Sequence, residues 1–161
     1  MATDMFLKLE GMDGEAQDSE HKNEIDVLAW SWGLSQSGTT HMGPGAGAGK
    51  VNIQDISLTK YIDSASHSLV QCCCQGKHFG EAILTVRKAG GDKPLEYVVI
   101  KMTDVIVTSV STGGSGGEDR LTENVSLNFA KVNFAYTPQK EDGTGGAVKE
   151  FGYDIPANKA L

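Results

Sequence analysis

No window of the 161-residue chain approaches the run of about 18 apolar residues that a membrane-spanning helix needs. No basic cluster occurs either: fourteen basic against twenty-one acidic residues leave a formal net charge of −7. That balance argues against nucleic acid and anionic membranes as partners, because both recruit lysine and arginine runs. The N-terminus MATDMFLKLEG lacks a basic n-region and a long apolar h-region, so a cytoplasmic chain is expected, with any export proceeding without a cleaved signal. Cysteine is confined to Cys72, Cys73 and Cys74, a poor framework for stapling distant segments.

What is present is strand patterning. Val125, Leu127 and Phe129 alternate with Asn124, Ser126 and Asn128, the period of a strand with one buried face. From Val132 the apolar set shifts to Phe134 and Tyr136, which predicts a β-bulge near Ala130 and Lys131. Met5, Leu7 and Leu9 predict a first strand ended by Gly11, and 11–23 reads as a polar loop. In EIDVLAWSWGLS (24–35), Ile25, Val27 and Ala29 share one face and Leu28, Trp30, Trp32 and Leu34 the other. Such a strand should be covered on both sides, by its own core and by a neighbour or another subunit. VNIQDISLTKY changes parity between Ile53 and Ile56, predicting a second bulge. EAILTVRK, a turn AGGDKP and LEYVVIKM predict a hairpin, with DVIVTSV as a third meander strand. Val148, Phe151, Tyr153 and Ile155 predict a last short strand before a polar tail.

One helix is expected, from Asp63 or Ser64 to Gln75, with Gly76 as its stop. Ile62, Ala65, Leu69, Cys72 and Cys73 fall on an arc of about 100°, which makes Cys72 and Cys73 core and turns Cys74 outward. Adjacent helical cysteines diverge and no C-x-x-C pair is present, so a metal site with His78 is disfavoured. The whole chain, 1–161, reads as one mainly β domain, a barrel or sandwich with one flanking helix, with roughly 70% of its unfolded surface buried on folding.

Two glycine-rich stretches invite chemical readings and refuse them. GAGAGK (45–50) lacks the phosphate-loop pattern, since Pro44 stands where glycine is required and Val51 where Ser or Thr is required. A strand follows it, where that motif needs a helix N-terminus. Gly113-Gly114-Ser115-Gly116-Gly117 matches G-x-S-x-G formally, but it leads to a strand and no histidine follows it in the chain. His21, His41, His67 and His78 lack evident partners and read as solvent-exposed, so no catalytic set is expected, and neither cofactor nor metal.

The segments MFLKLEG, EIDVLAWSWGLSQSG, HMGPGAGAGKVNIQD, TKYID, GKHF, VRKAGG and SVSTGGSGGEDRLTENVSLNFAKV, in this order, resemble the Hcp family, the haemolysin-coregulated proteins of bacterial type VI secretion. The likeness spans nearly the whole chain; the CCC run departs from it, and no role carries over to those cysteines. The resemblance implies a two-sheet β-barrel with one helix at its side, assembled as a hexameric ring around a wide channel. It further implies rings stacked into a tube that a contractile sheath expels, capped by a trimeric spike protein. Such subunits are released and shelter effectors in the lumen. A ring or monomer acting only as an effector-binding chaperone is the alternative, and no effector extension is expected after the barrel. By the same resemblance, Thr40, His41, Met42, Gly43, Pro44, Gly45, Gly47, Gly49 and Lys50 are expected at the ring-stacking and subunit interface. The loop of Gly113, Gly114, Ser115, Gly116, Gly117, Glu118 and Asp119 is a candidate rim, and Ser31 a candidate lumen contact with cargo.

Overall fold

The computed structural model describes residues 3–38, 41, 49–88 and 93–161. Its strands are β1 (Thr3–Leu9), β2 (Ile25–Ser31), β3 (Leu34–Ser35), β4 (Asn52–Ile53), β5 (Ile56–Tyr61), β6 (His78–Lys88), β7 (Leu95–Thr112), β8 (Thr122–Tyr136), β9 (Lys149–Asp154) and β10 (Lys159–Ala160). Helix α1 (Ser66–Gln75) lies against β7. The strands run β8-β5-β2-β1-β6-β7, and β8 pairs back onto β7, so the sheet closes into an antiparallel barrel. Closure leaves these strands no open edge along the paired lengths, which removes a route to aggregation.

The alternating residues fill the barrel as expected: Leu7, Leu9, Ile25, Ile56, Leu58, Leu84, Ile100, Met102, Val125 and Leu127 are buried in one cluster. Leu69 and Cys72 of α1 join it, and Gly76 adopts a left-handed φ of 63° that terminates the helix. The helix begins slightly later than expected. Its entry is held by Asp63, whose Oδ1 accepts the Ala65 N–H at 3.0 Å.

Several expectations need correction. The 24–35 stretch is not one two-faced strand, because the register against β5 shifts between Val27 and Ala29. A bulge at Leu28 therefore turns Trp30 and Trp32 onto the same core as Ile25 and Val27, and leaves Ala29 and Ser31 exposed. The strand proper ends at Ser31, and Leu34 moves into a separate two-stranded sheet, β3–β4. The parity change between Ile53 and Ile56 is accordingly a break between sheets rather than a bulge.

The switch in β8 occurs without the expected register shift. Lys131 pairs with Thr103 and Phe129 with Val105 in the same register, and Asp104, with φ 56°, lies in the partner strand at that level. Both strands thus change face together. The β7–β8 register shift falls between Val107 and Ser109 instead. DVIVTSV is not a third strand but the continuation of β7. The polar tail closes back as β10 on β9, through a turn at Asn158 with φ 53°. The hairpin turn between β6 and β7 falls partly outside the described residues.

The strands that are covered on two sides are β1 and β6. Phe6, Thr85 and Arg87 are buried although their alternation points them out of the barrel. The 11–24 segment closes over that side, carrying buried Ala16 and His21. The expectation that 11–23 is a loop holds. The expectation that His21 is solvent-exposed does not: its ring stacks on Phe6 with centroids 4.6 Å apart.

Candidate functional site: a loop-bearing arm and a polar outer face

Residues 36–51 spring from the β3–β4 pair, whose base is Trp32. The indole Nε1 donates to the Gln54 carbonyl at 3.0 Å, and its ring lies 6.3 Å from both Phe129 and Phe134. This clamps the arm to the barrel, since an aromatic with a satisfied N–H contributes both area and direction. Beside it runs an apolar groove of about 300 Å³ lined by Leu34, Ile53, Phe134, Phe151 and Tyr153 among others. Leu34 and Phe151 stay 56% and 60% exposed, more than a monomer's apolar side chains need be.

Of the residues expected at the stacking interface, His41, Gly49 and Lys50 are described. His41 and Lys50 are exposed. A Cβ on Gly49 would lie 2.5 Å from Ser37 Oγ, so the two limbs of the arm approach closely there. Thr40, Met42, Gly43, Pro44, Gly45 and Gly47 lie outside the described residues.

Ser31 is exposed on β2 and belongs to a row that the sequence reading did not assemble. It pairs with Ser57, Ser57 with Ser126, and Ser126 with Ser109, across β2, β5, β8 and β7. The adjoining row is Ala29, Thr59, Asn124 and Ser111. Thr59 donates to Asn124 Oδ1 at 2.7 Å, and the Ser57 and Ser126 hydroxyls lie 3.5 Å apart. Two whole rows of the outer face are therefore small and uncharged, and every member but Ala29 is polar. The signal was available in sequence as a small uncharged residue, mostly serine, at each outward position, but the bulges at Leu28 and Thr108 had to be placed before the rows could be aligned.

The 113–121 loop connects β7 directly to β8. Ser115 Oγ accepts the Gly117 N–H at 3.4 Å, and Leu121 packs where a Cβ on Gly114 would come within 2.5 Å. The loop hands its serine to a strand, and His78 is paired elsewhere, with Asp104 at 3.1 Å. It has neither the helix nor the base that a nucleophile elbow uses. Gly113, Gly116, Glu118 and Asp119 are exposed at that end.

Two charged clusters were missed. Lys60 is fully buried, with Nζ 2.5 Å from Glu123 Oε1, 2.9 Å from Asp63 Oδ1 and 2.8 Å from the Tyr61 carbonyl. Ser66 Oγ donates to Glu123 Oε1 at 2.6 Å, which ties the first residue of α1 to the same group. The second cluster fastens the 11–24 segment. Arg87 donates to both oxygens of Asp18 and lies over the Phe6 ring at 5.0 Å. The Arg87 hydrogen bond holds the Asp18 carboxyl below its ordinary range, against a smaller opposing effect of burial. His21 Nδ1 lies 2.9 Å from Glu24 Oε2 and Nε2 2.6 Å from Glu96 Oε1, so both ring nitrogens face carboxylates.

Of the three cysteines, Cys72 is buried, Cys73 half-buried and Cys74 exposed. The outward position of Cys74 is as expected, whereas Cys73 is less sheltered than a core position. A thiol reagent is therefore expected to label Cys74 first, Cys73 more slowly and Cys72 last, as read by peptide mass spectrometry over time. Equal rates would contradict the helix register.

The family model described as "Type VI secretion system effector, Hcp" matches residues 6–136. Protein hcp1 of Pseudomonas aeruginosa is 59% identical over 160 residues, 98% of each chain. Among solved structures, Hcp1 from Salmonella typhimurium superposes with a TM-score of 0.83 at 43% identity, covering 100% of both chains. A structure described as a type six secretion system protein reaches a TM-score of 0.93 at 32% identity, over 99% of this chain and 100% of its own. With a closed barrel, one flanking helix and a full-length likeness in both sequence and structure, the chain belongs to the Hcp family of type VI secretion proteins.

Proposed function

We propose that this chain is the structural subunit of a type VI secretion inner tube: a one-domain subunit that forms hexameric rings, which stack, are expelled by a contractile sheath behind a trimeric spike, and carry effectors in their lumen. In this reading the protein acts by assembly rather than by catalysis, is cytoplasmic until firing, and is secreted without a cleaved signal. Nucleic acid and membrane insertion have no part in it. The observation that carries it is the division of the barrel's outside. One side bears the two rows of small uncharged residues through Ser31 and Ser57, and another bears the exposed Leu34, Phe151 and the arm. An apolar side suits a permanent subunit contact, while rows of small uncharged side chains suit a channel that must hold and then release different cargo.

Ring stacking falls to Thr40–Lys50, with the 113–119 loop as a further rim contact. Native mass spectrometry on freshly reduced protein is expected to give a hexameric mass, and removal of Thr40–Lys50 to leave rings that no longer stack. A monomer in both cases would overturn the tube reading in favour of an effector-binding module. Ser31→Gln is expected to leave rings intact while lowering retention of a co-expressed effector. Unchanged retention would remove Ser31 from the lumen site.

A further inference from the structure

The 11–24 segment covers Phe6, Thr85 and Arg87 on the outside of the barrel, and among the described residues His21 ties it to Glu96 of β7. His21 bridges Glu24 and Glu96 through its two ring nitrogens, at 2.9 and 2.6 Å, while its face rests on Phe6 with the rings 10° from parallel. A neutral imidazole has one N–H and one lone pair, so it can donate to only one of two carboxylates and turns a lone pair toward the other. The imidazolium donates to both. We propose that His21 is a proton-operated latch, holding the 11–24 segment onto β7 when protonated and releasing its Glu96 contact when neutral.

The charges that face it come from every neighbouring element. Its own segment supplies Glu20 and Glu24, together with Asp18, whose Oδ1 accepts the Glu20 backbone N–H at 3.0 Å. Strand β7 supplies Glu96 and β6 supplies Arg87, the cross-strand partner of Glu96. Asp4 of β1 completes the set through Arg87. Arg87 is already shared between Asp18 and Asp4, which leaves the surroundings of His21 negative.

Burial by itself pulls the imidazole pKa down. The hydrogen bonds and charges of Glu24 and Glu96 together outweigh that, and the pKa is raised above 6.5. For a raised folded value the closed form has its full advantage below the pKa of the released histidine, about 6.5, and loses it as pH rises through the latched value. Within that window one proton leaves on opening, so the opening equilibrium grows about tenfold per pH unit. The Arg87–Asp18 pair keeps its charges throughout, and the release stays local to the latch.

Hydrogen exchange of the full-length protein, corrected for the chemical exchange rate, tests this from about pH 5 to about pH 8, the range in which histidine ordinarily titrates. Amides of 20–24 are expected to be protected at the acid end and to lose protection about tenfold per unit above the window's start, while those of 13–18, held by Arg87, and of β5 and β8 stay constant. Glu96→Gln, at a half-exposed position, is expected to move the midpoint down toward 6.5, and His21→Gln to abolish the pH dependence. An NMR titration of the His21 ring in the unmodified protein should find its midpoint above 6.5. A midpoint at or below that value, or the same pH slope in His21→Gln, would overturn the proposal. None of these readouts depends on ring or tube formation.

Discussion

Lys60→Met is expected to destabilise the protein by about 3–5 kcal/mol, the cost of stranding buried charges when one member of an internal ion pair is removed. The Lys60 and Glu123 side chains are each 1% exposed, and Asp63 is 6% exposed. Methionine matches the lysine stem in size, so the loss isolates the ammonium. It leaves two carboxylates, within reach of each other through the vanished Nζ, without a counter-charge. The same group holds the entry of α1 through Ser66, so the helix should loosen along with the barrel. Chemical denaturation at fixed protein concentration measures this, with an unchanged denaturant slope showing that the folded state is retained. Adding Glu123→Leu to Lys60→Met is expected to recover part of the loss, because the apolar replacement of a pair costs far less than breaking it. A loss below about 1 kcal/mol for Lys60→Met would mean that water reaches the pair and screens it.

Gly14→Ala is expected to cost about 1–3 kcal/mol through a clash that side-chain motion cannot relieve. An added Cβ would stand 2.6 Å from the Glu24 carbonyl oxygen and 2.8 Å from the Ile25 Cα, both backbone atoms at the start of β2. Gly14 also donates its N–H to the Asn23 carbonyl at 2.8 Å, and Ala16 donates to Glu24 at 3.0 Å, so the two limbs of the 11–24 segment are laced together at this point. The intrusion should pry the segment from the barrel and expose Phe6 and His21. Gly113→Ala is the control: its Cβ meets nothing within 4 Å, and an effect within about 0.5 kcal/mol is expected. Equal stability of the two variants, measured by thermal or chemical unfolding, would show that the close approach at Gly14 relaxes freely.

Much of the barrel was legible because strand periodicity is local. Met5 to Leu9, Val125 to Phe129 and the hairpin built on EAILTVRK all fold as their alternation predicts, and Gly76 ends the helix where expected. The errors arose where one string of apolar residues has two physical explanations. Ile25, Val27, Leu28, Trp30 and Trp32 fit a strand covered on both sides, and equally a strand whose faces exchange at a bulge; only the pairing with β5 distinguishes them. The face change in β8 was visible in sequence, but its cause lies partly in Asp104 of the partner strand, which no reading of β8 alone contains.

The buried charges followed a related logic. Lys60 continues the inward series Ile56, Leu58, and Glu123 opens the inward series Val125, Leu127, so parity already placed both toward the core. Their charge suggested the surface; their direct pairing in register, which makes burial tolerable, became visible only when β5 and β8 lay side by side. For the candidate site, the two glycine-rich loops and Ser31 could be named from the chain, but not the serine rows, which exist only across four strands.

By itself the sequence determined most of the long strands, the helix with its Gly76 stop, and the family likeness, because each rests on neighbours within a few residues or on the order of whole segments. The tertiary structure decided which strands close on one another, where the bulges fall, and that the polar 11–24 loop lies over the barrel, in contact with it through His21 and Arg87. Those outcomes depend on pairs such as His21 with Glu96 and Asp18 with Arg87, separated by 75 and 69 residues, whose attraction begins only once the barrel has brought them together.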